Sequence, residues 1–118
     1  MEQHHFIQSP IYSRLIDAIR EAGLQVAIEE AINNNPKGGK LLGGGIHKLR
    51  VASTKRPEGK SGGYRVWYFF DGPDDIYLFF IIDKRKAPDL TVEQGKILVQ
   101  DLKHALGKGK KEEIRNER

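Results

Sequence analysis

At 118 residues and 13.4 kDa, with 38% hydrophobic and 31% charged residues, the chain is expected to form one small globular domain rather than two. It has no cysteine, which excludes disulfides, thiolate metal sites and thiol nucleophiles, and its longest apolar run, Ile76 to Ile82, falls far short of the ~18 residues of a membrane-spanning helix. The net charge of +4 is unevenly spread: residues 46 to 65 hold six cations (Lys48, Arg50, Lys55, Arg56, Lys60, Arg65) against Glu58 alone, a pattern that fits a polyanion partner and equally a solvated basic loop. The segment Met1-Glu2-Gln3-His4-His5 has neither the basic nor the apolar stretch of a secretory signal, so a cytoplasmic location is expected.

In chain order, Phe6 to Gln8 reads as short and extended. Ser9-Pro10 then offers an N-cap followed by proline at the first helical position, where its missing N–H costs nothing. Ile11, Leu15, Ala18/Ile19 and Ala22 recur at helical spacing, and Gly23 is the residue expected to end that helix in a left-handed cap. Leu24, Ala27/Ile28 and Ala31/Ile32 make a second stripe that stops at Asn33-Asn34-Asn35-Pro36, giving a helical hairpin. Residues 36 to 45 contain five glycines and read as an irregular connector.

From Ile46 the period changes to two. Leu49 and Val51 alternate with Lys48 and Arg50, so a strand here buries the first pair and displays both cations on its opposite face. Thr54 to Gly62 is a polar, basic loop. Tyr64 to Phe70 is an aromatic and β-branched strand, with Arg65, Trp67 and Phe69 on one face and Val66, Tyr68 and Phe70 on the other. Asp71-Gly72-Pro73-Asp74-Asp75 turns the chain into Ile76 to Ile82, a strand apolar on both faces and hence central in its sheet. Thr91 and Gln94 form a capping box for a last helix, whose stripe is Leu98, Leu102 and Ala105/Leu106. Residues 107 to 118 read as a charged, flexible tail after a single domain over 1 to 106. The order β-α-α-β-β-β-α predicts an α+β domain: a small antiparallel sheet, helices packed on one face and the other face left partly open.

Four local patterns in this order carry a resemblance. They are Ser9-Pro10 opening a helical hairpin, Gly43-Gly44-Gly45-Ile46-His47-Lys48-Leu49-Arg50, Gly62-Gly63-Tyr64-Arg65-Val66-Trp67-Tyr68, and Lys84-Arg85-Lys86 followed by Asp89-Leu90-Thr91-Val92-Glu93-Gln94. Together they resemble the RelE/ParE superfamily of bacterial toxins, and within it the HigB-like branch of type II toxin-antitoxin systems. The resemblance implies a ribosome-dependent mRNA endoribonuclease (an mRNA interferase) that inhibits translation without a cofactor. It also implies a cognate helix-turn-helix antitoxin (HigA-like) as partner, alongside the translating ribosome with its mRNA and ribosomal RNA; no membrane is involved.

Metal-independent RNA cleavage requires deprotonation of a ribose 2′-OH, stabilisation of a phosphorane and protonation of the 5′ leaving oxygen. Arg65 is the first candidate for stabilising the transition state, because an arginine stays charged and grips phosphate oxygens in pairs. Lys48 or Arg50 would help the 2′-OH react, since lysine exchanges a proton where neighbouring cations favour its neutral form. Arg85 matches the family's second arginine and would contact the scissile phosphate or the leaving group. Some relatives place a tyrosine or histidine late in the chain; no tyrosine follows Tyr77, so His104 is the late catalytic candidate. Lys55, Arg56, Lys60, Lys84 and Lys86 are candidates for phosphate or ribosomal RNA contact, and Trp67 for stacking on a base.

Each candidate has a plainer reading. Lys48 and Arg50 suit the wet face of an edge strand, Lys84-Arg85-Lys86 a solvated turn, Trp67 a core, and His104 a helix surface. Arg65 resists that reading, since an arginine within an apolar strand needs a partner. His47 shares the inward face of Leu49 and is expected to pack. His4 and His5 are adjacent and form no helical metal pair, so no metal is expected. The glycines lack a phosphate-loop ending and read as turn residues. Two other functions are compatible with the pattern: a ParE-like DNA gyrase inhibitor, which would not need the cationic set, and a noncatalytic double-stranded RNA-binding module, whose last helix usually begins with lysines where this chain has Asp89 and Glu93.

Overall fold

The computed structural model describes residues 4–38, 40–43, 45–55, 63–87, 90–100 and 104, with the side chains of 40–43 excepted. The first strand, β1 (His5–Gln8), leads into α1 (Pro10–Ile19) and α2 (Leu24–Asn34). Ser9 is the N-cap of α1: its Oγ accepts the Tyr12 N–H at 3.0 Å and donates to the Phe79 carbonyl at 3.1 Å, so one buried hydroxyl caps the helix and ties it to the sheet. The helix ends earlier than the glycine suggests. Arg20 takes the left-handed conformation at φ 55°, and Gly23, at φ 79°, instead caps the start of α2. Tyr12, fully buried, donates its hydroxyl to Gln25 at 2.7 Å, and Gln25 donates to Glu29 at 2.8 Å, which fastens the two helices together.

Four more strands follow: β2 (Lys40–Gly43), β3 (Ile46–Val51), β4 (Tyr64–Phe70) and β5 (Asp75–Asp83). They form one sheet in the order β1-β5-β4-β3-β2. The connector expected over 36 to 45 thus contains a strand, because backbone pairing with β3 needs no side-chain alternation. The sheet is also mixed rather than wholly antiparallel. β2 to β5 make the expected meander, but β1 adds to the edge of β5 in parallel, with Phe6 opposite Ile76 and Ile7 opposite Tyr77. The turn before β5 is as expected: the Asp71 N–H donates to the Asp75 carbonyl at 2.9 Å while Gly72 supplies a φ of 90°.

The capping box at Thr91 forms in full. Thr91 Oγ1 accepts the Gln94 N–H at 3.1 Å and Gln94 Oε1 accepts the Thr91 N–H at 3.0 Å, starting α3 (residues 92–100). This helix overturns the expectation of helices on one face. Leu24, Ile28 and Ile32 of α2 and Tyr12 of α1 pack with Val51, Tyr64, Val66, Tyr68, Ile76 and Leu78 on one side of the sheet. Val99 and Leu98 of α3 pack with Ile46, Trp67, Phe69, Tyr77 and Phe79 on the other. The reason lies in β4 and β5, which are apolar on both faces and need cover on both. A bulge strengthens the second core: Trp67 pairs with Phe80 and Tyr68 with Leu78, so Phe79 is an extra residue and both phenylalanines join the α3 side.

Candidate nucleic-acid interface

The side chains expected to share a strand face do share one. In the β3–β4 ladder, Lys48 lies opposite Trp67 and Arg50 opposite Arg65. Alternation then sends Lys48, Arg50, Arg65 and Trp67 to the side away from the helical hairpin, while His47, Leu49 and Val51 face it. His47 packs as expected, buried and stacked on Tyr68 with ring centroids 5.2 Å apart.

The face is not open, however. Arg65 is only 3% exposed and Trp67 1%, and Trp67 packs in the cluster that contains Leu98 and Val99. Trp67 is therefore a core residue: its ring meets Phe80 edge-on at 5.7 Å and carries the Lys48 ammonium 5.9 Å from its centroid, which corrects the expectation of a base-stacking platform. Arg65 Nη1 donates to the Tyr64 carbonyl at 3.3 Å. Arg50 is exposed and Lys48 half-buried, so among the described side chains these two are cations that this part of the sheet offers to a ligand.

Lys84, Arg85 and Lys86 form the turn that ends β5. Its backbone is fixed by Asp83, whose carbonyl accepts from Lys86 at 2.9 Å and Ala87 at 3.1 Å and whose Oδ1 accepts the Arg85 N–H at 3.0 Å. The Lys84 N–H donates to the Gly63 carbonyl at 3.0 Å, so this turn lies at the same end of the sheet as Arg65. Gly63 is required there, since a Cβ would run into the Val51 carbonyl. Arg85 and Lys86 are exposed and, with Lys55, line a cleft against α1. The cations thus fall into two groups, one on the α3 side of the sheet and one around its end beneath α1. His104 is helical and exposed, and Arg56, Lys60 and the segment 107–118 lie outside the described residues.

One functional-looking group escapes a reading of sequence. Glu21, in the turn between α1 and α2, accepts from Ser53 Oγ at 2.7 Å, the Thr54 N–H at 2.6 Å, Thr54 Oγ1 at 2.8 Å and the Tyr64 hydroxyl at 2.7 Å. Burial alone would raise its pKa, but the hydrogen bonds from Ser53, Tyr64 and Thr54 outweigh this and hold it down at about 2. Its partners lie more than thirty positions away in sequence, and no local pattern announces them.

Among the described residues no three histidine or acidic side chains gather as a metal site would require, and no helix is long and apolar enough to cross a membrane. No protein-family model matches the chain, and no curated protein matches it. The class that the fold defines is a small α+β domain with a mixed five-stranded sheet.

Proposed function

We propose that this chain is a ribosome-dependent mRNA endoribonuclease of the RelE/ParE kind, the toxin of a type II pair that acts in the cytoplasm and is silenced by a helix-turn-helix antitoxin. The observation that carries the reading is the β3–β4 register, which sets Lys48, Arg50 and Arg65 on one face of two adjacent strands. In this reading Arg50 and Lys48 meet the scissile phosphate. As the ribose 2′ oxygen bonds to phosphorus, its proton passes to a base, for which Lys48 is the candidate. Arg50 stabilises the charge on the phosphorane oxygens. The bond to the 5′ oxygen then breaks, leaving a 2′,3′-cyclic phosphate on one fragment and, after that oxygen takes up a proton, a 5′-hydroxyl on the other. Arg65 is a positioning residue here: buried beside Arg50 on the adjacent strand, it adds to the positive field without touching RNA. The exposed Arg85 at the sheet's end is the candidate for guiding the leaving strand, and the small size of the domain leaves the ribosome to present the message.

The burial of Arg65 and Trp67 favours one other reading, a noncatalytic RNA-binding domain that uses Lys48, Arg50 and the Lys84–Lys86 turn only to hold phosphates. Induced expression separates the two. The toxin reading expects growth arrest and cleavage of translated, but not naked, mRNA, with both effects lost in Arg50→Ala. RNA binding without any cleavage would favour the second reading.

A further inference from the structure

The helix side of the sheet carries a feature that the RNA reading touches only at the turn after β5. A cleft of about 460 Å³ lies between the second half of α1, the loop after β3 and the turn after β5. Its volume lies within the roughly 300–1,000 Å³ typical of ligand clefts. Leu15, Ala18 and Ile19 of α1 give it an aliphatic wall, while Arg20, Lys55, Arg85 and Lys86 bring cations to it from three separate segments. Two acids also line it, Glu21 held by Ser53, Thr54 and Tyr64 and Asp83 bonded to the backbone of the turn, so the lining sets four cations against two carboxylates. The excess of cations around an aliphatic wall defines the complementary ligand, which has carboxylates or phosphates outside and an apolar group between them.

We propose that this cleft is the docking site for an acidic peptide segment of a partner protein, with one aliphatic side chain against Leu15, Ala18 and Ile19 and flanking carboxylates on Arg20, Lys55, Arg85 and Lys86. Charge complementarity sets the sign of the partner. The wall sets its class: unpaired RNA bases are held chiefly by stacking on aromatic rings, whereas the α1 wall is aliphatic and Tyr64, an aromatic residue of the lining, is only 2% exposed and packed in the core. The inference shares Arg85 and Lys86 with the RNA reading but otherwise rests on residues of the α1 side of the molecule, Leu15, Ala18, Ile19, Arg20 and Lys55.

Fluorescence anisotropy on the full chain tests it with three labelled probes: a short peptide of one leucine flanked by glutamates, the same peptide with serine for leucine, and an oligouridylate. The leucine peptide is expected to bind saturably and more tightly than the serine peptide. Ala18→Phe, which fills the cleft from an exposed position, and Arg20→Glu are each expected to weaken binding at least about fivefold, with melting temperatures near that of the parent. Lys48→Ala is expected to leave peptide binding unchanged, and Ala18→Phe to leave mRNA cleavage unchanged, so the two proposals fail separately. Absence of saturable peptide binding, equal binding of the serine peptide, or oligouridylate binding with the same sensitivity to Ala18→Phe would each overturn the assignment.

Discussion

Glu21 shows how much one side chain organises. Through a single carboxylate it joins the α1–α2 turn to the loop after β3 and to the first residue of β4. With its pKa held at about 2 against an ordinary 4.5, the carboxylate is the form that the fold prefers. Its stabilising contribution is complete above the unfolded value and is lost as pH falls through the folded one. Glu21→Ala should lower stability at neutral pH by about 1–2 kcal/mol, after allowance for its partial exposure, and should flatten the acid limb of the stability curve. Urea unfolding at neutral and acid pH checks both; an unchanged acid limb would mean that other carboxylates govern it. Arg65 teaches the opposite lesson about legibility. Its strand face follows from alternation, but its burial depends on what the fold brings over that face, which no pattern within β4 encodes. Exposed Arg50 is for that reason the cleaner site for a functional substitution.

At the scale of elements, what the sequence discloses is what local chemistry dictates. Ser9-Pro10, the Thr91–Gln94 box, the Asp71–Asp75 turn and the alternation in β3 and β4 each rest on residues a few positions apart, and each forms as read. β2, the parallel setting of β1 and the far-side packing of α3 rest on pairing across the sheet and remain silent in sequence. Ser9 links the two kinds of information, capping α1 locally and bonding to β5 across the fold. Ser9→Ala should therefore cost about 1–3 kcal/mol, the cap together with a buried carbonyl left unsatisfied. Chemical denaturation checks this, and a loss of only a few tenths would show that the bond to Phe79 contributes little.

At the scale of the whole molecule, a net charge of +4 is modest for a chain proposed to act on RNA. Its effect comes from placement, with Lys48 and Arg50 on the sheet and Arg85 and Lys86 around its end. RNA affinity should fall with added salt, and Arg50→Ala should reduce the log–log slope by about one phosphate contact. Titrations at several salt concentrations read that slope directly; an unchanged slope would place RNA elsewhere. The proposed attack by a ribose 2′-OH, assisted by Lys48 and Arg50, is tested most directly by the chemistry of the cut ends. Purified protein added to ribosomes paused on a defined message should yield fragments ending in 2′,3′-cyclic phosphate and beginning with 5′-hydroxyl, at a rate that collapses by at least about a hundredfold in Arg50→Ala. Intact message under full ribosome occupancy, or fragments beginning with 5′-phosphate, would contradict it.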